Sequence, residues 1–118
     1  KIRIAHILIQ RDEETAKPIF FKDWLPEDIQ TRYVFILDPM LATGGSANET
    51  IRSLKLKGVT EDKIIFINLV AAPEGIEAVL SAYPGIRLIT AEMDDGLDEN
   101  AYILPGLGDF GDIYFGTD

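Results

Sequence analysis

The first hydrophobic run of five residues, Tyr33 to Leu37, stops abruptly on Asp38-Pro39. Four or five apolar or aromatic residues without alternation are the pattern of a buried parallel strand. From Ala47 to about Lys57 the period lengthens to that of a helix, with Ile51 and Leu54 on one face and Gly58 placed to stop it. Ser46-Ala-Asn-Glu49 reads as a capping box, which starts this helix at the serine. Ile64 to Val70 is the clearest buried strand. Ala71-Ala-Pro-Glu-Gly75 then turns into a second helix, whose Ile76, Val79, Leu80 and Tyr83 fall at i, i+3, i+4 and i+7 before Pro84-Gly85 ends it. Ile86 to Ala91 is a further strand.

The two ends of the chain are less regular. Ile2 to Ile9 is strand-like, interrupted by Arg3 and His6, and Arg11 to Thr15 is a charged turn. Lys17 to Thr31 reads as a Pro-bearing connection, and Glu92 to Asn100 as a solvated acidic loop. Tyr102 to Asp118 is too Gly-rich for a helix and reads, taken alone, as a packed hairpin with tight turns. Strands alternating with helices predict βαβ units, right-handed crossovers and a parallel sheet. Such sheets bind ligands beyond the carboxyl ends of their strands. Asp38 lies at one such end and Ala71-Ala72 at another.

The length, 118 residues, suits one domain, and a 47% hydrophobic, 26% charged composition can form a core. A net charge of −9 turns the overall surface away from nucleic acid and anionic membrane, though not from a phosphorylated small molecule. There is no cysteine and a single histidine, His6, so no disulfide, thiolate or metal-ligand cluster is expected. No apolar run approaches the roughly 18 residues that cross a bilayer. The chain opens on Lys1-Ile-Arg-Ile, inside an apolar segment and without an initiator Met, so a piece of a longer protein is expected.

The chemistry concentrates in Asp38-Pro-Met-Leu-Ala-Thr-Gly-Gly-Ser46. Glycines let a backbone approach a ligand closely, and the amides at a helix start attract anions. Thr43 and Ser46 add hydroxyl donors, while Asp38 can accept from sugar hydroxyls beside the phosphate. Gly44 is expected to leave room for that phosphate, so that a valine there weakens binding without disturbing the fold. A Gly-Gly turn with a capping Ser also occurs for purely structural reasons. This string is neither the Gly-x-x-x-x-Gly-Lys of a P-loop nor Gly-x-Gly-x-x-Gly. An acid beside a phosphate cradle at a strand end points to a sugar phosphate.

The whole string is more specific than its glycines. It resembles the phosphoribosyl-diphosphate loop of the type I phosphoribosyltransferases, and its wording is similar to that of their uracil-using branch. Pro39 and Ala42 stand where many other type I relatives carry acids, and both departures match that branch. Two further stretches carry the resemblance in the family's order. One is Arg11-Asp-Glu-Glu-Thr15; the other is Tyr102-Ile-Leu-Pro-Gly-Leu-Gly-Asp-Phe110. Phe110 stands where many bacterial members have Ala.

The resemblance implies a Rossmann-like α/β fold with a parallel sheet and a C-terminal Gly-rich base-binding segment. Residues 1–118 would form a single domain that is the C-terminal portion of the family fold. The implied reaction transfers the phosphoribosyl group of 5-phosphoribosyl 1-diphosphate (PRPP) to uracil, giving UMP and diphosphate. PRPP would be held by Arg11, Asp38, Pro39, Met40, Leu41, Ala42, Thr43, Gly44, Gly45, Ser46 and Asp109, and uracil by Tyr102, Ile103, Gly108, Asp109 and Phe110. Asp38 and Asp109 are the implied catalytic acids, and Ala42 leaves the phosphate loop without an obvious general base. No resident metal is expected; Mg²⁺ would arrive with the diphosphate. The resemblance also implies a homo-oligomer at full length, a nucleotide as candidate effector, and an upstream half carrying a second diphosphate-binding loop. The absence of cysteine leaves the compartment open, with a cytoplasmic location the default expectation. Two alternatives stand beside it: a catalytically silent binding or regulatory module, and the C-terminal domain of a uridine kinase fusion.

Overall fold

Val34–Leu37 (β3) lies parallel to Ile64–Ala71 (β5), pairing Val34 with Ile64 and Leu37 with Ile67. A computed structural model describes residues 1–12, 14, 15 and 17–117. Glu13 of the charged turn, Ala16 and the terminal Asp118 lie outside the described residues. After β3 the strand breaks at Asp38-Pro39, because proline has no amide to give a ladder. Met40–Leu41 (β4) then rejoins the same edge of β5 opposite Val70 and Ala71. The Pro39 carbonyl accepts both the Leu69 and the Val70 amides, at 3.0 and 3.1 Å, which stitches the break to its neighbour. On the other edge of β5 runs Arg87–Met93 (β6), also parallel.

Gly45–Leu56 (α1) crosses from β4 to β5, and Pro73–Ala82 (α2) crosses from β5 to β6. Both crossovers step the same way across the sheet, so right-handedness puts both helices on one face. The core lies between them and the sheet, where Leu41, Ile51, Leu54, Ile64, Phe66, Ala71 and Val79 are buried. The other face is only partly covered, with Ile65 buried there and its neighbours left open. Along β3 the burial alternates, with Phe35 62% and Leu37 75% exposed, and Leu69 and Ile89 exposed on the neighbouring strands. The expectation of a wholly buried β3 is thus corrected: its apolar run is continuous, but only the helix-side half of it is covered.

The ends depart further from expectation. The strand over residues 2–9 begins only at His6–Arg11 (β1), and Ile2 and Ile4 remain exposed. Its partner is Pro18–Trp24 (β2), antiparallel, inside what the prolines made look like a connection. Pro18 sits at the first position of its strand, where a missing amide does least harm. Gly96–Leu97 (β7) pairs with Ile103–Leu104 (β8) in a short antiparallel ladder, so the acidic loop is partly ordered into strand. Phe110–Phe115 (α3) is a short helix where the glycine content had argued against one. Asp109 caps it by accepting the Asp112 amide at 2.9 Å, and Gly116 ends it at φ 68°. Two of the glycines therefore flank or terminate the helix, and only Gly111 lies within it.

Candidate functional site

The expected phosphate loop is built by backbone geometry that sequence spacing does not reveal. Gly44 has φ 84°, a left-handed conformation that swings the chain into α1 one residue before Ser46. The predicted capping box does not form: no side chain caps α1, and Glu49 instead takes Arg52 at 2.8 Å. Apart from the Gly45 amide, the start of the helix keeps its donors free of side-chain caps, the condition for anion binding at a helix N-terminus. The Gly45 amide meets Thr43 Oγ1 at 3.3 Å.

Gly44 does not serve to clear space for a ligand. A Cβ there would press on the Ala78 Cβ and the Gly75 carbonyl, both at 3.1 Å, which are parts of α2. The expectation that a valine would leave the fold intact is therefore corrected. Gly75 is tighter still, since its Cβ would fall 2.5 Å from the Ala42 carbonyl oxygen. Asn48 completes the clamp by donating from Nδ2 to the Ala78 carbonyl at 3.3 Å. Gly75 was missed in the sequence, although a glycine in the first turn of a predicted helix, where alanine is favoured, is a signal of close packing.

Arg11 reaches the loop through β2. It pairs with Pro18, and the Pro18 ring lies 3.5 Å from where a Gly45 Cβ would be. A cleft of about 190 Å³ results, lined by Arg11, Asp38, Met40 and the run from Leu41 to Ala47. Asp38 is partly buried and accepts the Met40 amide at 3.4 Å. Burial pushes its carboxyl above the ordinary pKa, with the Met40 amide and the positive charge of Arg11 opposing that shift. Asp12, next to Arg11, has a turn to hold: its Oδ1 accepts the Thr15 amide at 2.7 Å, the Thr15 hydroxyl at 2.9 Å and the Glu14 amide at 3.1 Å.

Not every expected residue meets in that cleft. Pro39 is outside the lining and spends its carbonyl on β5, while Leu41 borders the cleft with its side chain buried in the core and its carbonyl accepting the Ala72 amide at 2.9 Å. Asp109 and the expected base-binding residues lie outside the cleft lining, on the segment of β8 and the start of α3. Ile103 is buried in the ladder of β8. Tyr102 is exposed, Gly108 at φ 77° faces open space, and Phe110 stacks on Tyr114 with centroids 5.9 Å apart. Among the described residues no group of three or more His, Cys, Asp and Glu is arranged to hold a metal ion.

A larger cavity of about 570 Å³ lies between the N-terminal segment and β3, lined by Ile2, Ile4, Leu25, Ile29 and Phe35 among others. It is apolar and shares no lining residue with the cleft at the strand ends.

A parallel sheet with an acid, an arginine and a left-handed glycine turn gathered at its strand ends defines an α/β protein with a candidate anion-binding cleft at those ends. The family model described as uracil phosphoribosyltransferase matches residues 1–117, and the chain belongs to that family. It is 59% identical over 98% of its length to uracil phosphoribosyltransferase 1 of Schizosaccharomyces pombe, and 57% identical over 97% to the Saccharomyces cerevisiae uracil phosphoribosyltransferase. In both comparisons it covers 53% of the relative, so the chain spans about half the length of these proteins. It is also 50% identical over 99% of its length to the Arabidopsis thaliana protein named uridine/cytidine kinase UKL1, chloroplastic, of which it covers 24%. Among solved structures, the AQ2163 protein from Aquifex aeolicus superposes with a TM-score of 0.79 at 29% identity, over 92% of this chain and 50% of that one.

Proposed function

We propose that the protein of which this chain forms part transfers the phosphoribosyl group of PRPP to uracil, giving UMP and diphosphate. The observation that carries the reading is the cleft where Arg11, Asp38 and the turn from Ala42 to Ser46 converge at the strand ends. The amides and hydroxyls of Thr43 to Ser46 hold the 5-phosphate against the start of α1. Asp38 accepts from the ribose hydroxyls, and Arg11 meets phosphate oxygens with its fork of donors. Uracil N1 bonds to C1 of the ribose as the bond from C1 to the diphosphate oxygen breaks, and the N1 proton passes to the departing diphosphate or to water. Charge develops on the ring and on the leaving group, so catalysis rests on positioning and charge neutralisation. Mg²⁺ enters as part of the substrate, held by diphosphate oxygens and water. The segment from Tyr102 to Phe110 matches the donors and acceptors of uracil with backbone groups, and Asp109 faces the ribosyl substrate. Full-length protein acts as a homo-oligomer in the cytoplasm.

The deciding experiment supplies full-length protein with PRPP, Mg²⁺ and either labelled uracil or labelled cytosine. Cytosine presents an amino donor in place of a carbonyl acceptor, a mismatch of about 1–3 kcal/mol per buried group, or roughly ten- to a hundredfold. UMP with strong preference for uracil is expected; equal use of the two bases overturns the uracil reading.

The Arabidopsis relative favours a second reading, in which the same domain follows a kinase. The open reading frame upstream of Lys1 distinguishes the two.

A further inference from the structure

The loop from Glu92 to Asn100 contains acids with two separate tasks. Asp98 Oδ1 accepts the Asn100 and Tyr102 amides at 2.8 and 2.9 Å, which shapes the turn between β7 and β8. Asp94, at the carboxyl end of β6, works at longer range. Its amide donates to the Ala71 carbonyl at 2.9 Å, and its Oδ2 accepts the Gly106 amide at 2.9 Å. The next residue, Ala72, donates to the Leu41 carbonyl at 2.9 Å. A hydrogen-bonded path therefore runs from the phosphate loop at Leu41, through the end of β5, to Asp94 and into the segment beyond Leu104. Gly106 itself cannot be replaced by a side-chain anchor, because at φ 54° a Cβ would collide with the Ile103 carbonyl.

We propose that Asp94 is a positioning residue that fixes the base-binding segment at its working distance from the phosphate loop. This inference rests on the function proposed above. A carboxylate accepting a backbone amide makes a charge-assisted bond, stronger than a neutral one. It holds one end of the segment to the same strand end that anchors the loop. Near-attack geometry between base and sugar depends on that distance, and small displacements forfeit much of the rate. The surrounding charge gives no other reason for the acid: Glu92, Asp95 and Asp98 are neighbours in a chain already at −9.

The test compares Asp94→Ala, Asp94→Asn and Asp94→Glu in the full-length protein. Asn keeps an acceptor oxygen in place, Ala removes it, and Glu moves it outward by one methylene. Asp94→Ala and Asp94→Glu are expected to raise the KM for uracil by roughly tenfold or more, the loss of one hydrogen bond to a charged group, with the KM for PRPP nearly unchanged. Asp94→Asn is expected to restore the uracil KM. A purely structural acid would instead lower Tm and move both KM values together, and that result overturns the proposal, as does an unchanged uracil KM in the Ala variant. Should the Ala variant fail to fold, the contrast between Asn and Glu decides. If wild-type protein does not use uracil at all, the proposed function falls. Amide exchange at Gly106, expected to accelerate in the Ala variant, then still reports whether Asp94 holds the segment.

Discussion

Gly75 on α2 lies so close to Ala42 that a Cβ would stand 2.5 Å from the Ala42 carbonyl oxygen. The helix after β5 thus forms the floor on which the phosphate loop rests. Gly75→Ala should force the two apart, with an overpacking penalty of about 1–3 kcal/mol. In full-length protein we expect a lower midpoint in urea and a weaker PRPP titration. Unchanged values in both would show that the loop yields without consequence.

Adjacent glycines in the loop should respond in opposite ways. Gly44 is left-handed and packed against α2, so Gly44→Ala should destabilise by about 1–2 kcal/mol from conformation alone. Gly45 is in the first turn of α1 and its Cβ would meet Pro18 at 3.5 Å, an ordinary contact. Gly45→Ala should therefore be neutral or stabilising by up to about 1 kcal/mol, as alanine is the better helix former. Thermal unfolding of the two variants side by side checks the contrast, and equal losses would contradict it.

Asp38 ties stability to pH. Burial raises its folded pKa above that of the unfolded chain, so the native state binds the proton more tightly. Stability then falls as pH climbs from the ordinary carboxyl range through the raised value, and returns on acidification. Asp38→Asn keeps an oxygen for the Met40 amide and removes the buried charge. The variant should melt higher than its parent at neutral pH, with the gap closing in acid, while kcat/KM for PRPP drops. Parallel melting curves at every pH would show that the carboxyl is not desolvated.

The partly covered sheet face predicts the behaviour of the 118-residue chain by itself. Phe35, Leu37, Leu69 and Ile89 present an apolar surface of the kind that drives association. Size-exclusion chromatography of the chain should show self-association, reduced in a Phe35→Ser, Leu37→Lys double variant. The same chain should make no measurable UMP, because it spans about half the length of the relatives it matches and positioning needs both ends of PRPP held. Robust turnover by the isolated chain would refute that requirement.

Much of this was legible in the sequence because the signals were periodic. The apolar runs before Asp38 and Ala71 located β3 and β5, and Ile51 with Leu54 identified the buried face of α1. The order of Asp38, the Thr43 to Ser46 turn and a helix marked the cleft. Features that depend on long-range packing were hidden. Pro18 concealed β2, since a strand-opening proline reads as a loop, and glycine content concealed α3, whose start depends on the Asp109 cap. Gly44 and Gly75 look like any glycines until α2 is laid against the loop. Asp94 was lost among its acidic neighbours because nothing in spacing shows which carboxylate finds an amide.

The broken strand at Asp38-Pro39 has one further consequence. Because the Pro39 carbonyl holds the Leu69 and Val70 amides, and the Leu41 carbonyl holds that of Ala72, three stitches at and just beyond the end of the central strand fall on residues flanking the loop. Their amide protons should exchange with solvent at the rate at which those stitches open. The slow hydrogens of β5 are thus built-in reporters of loop rigidity, readable without any label at the site.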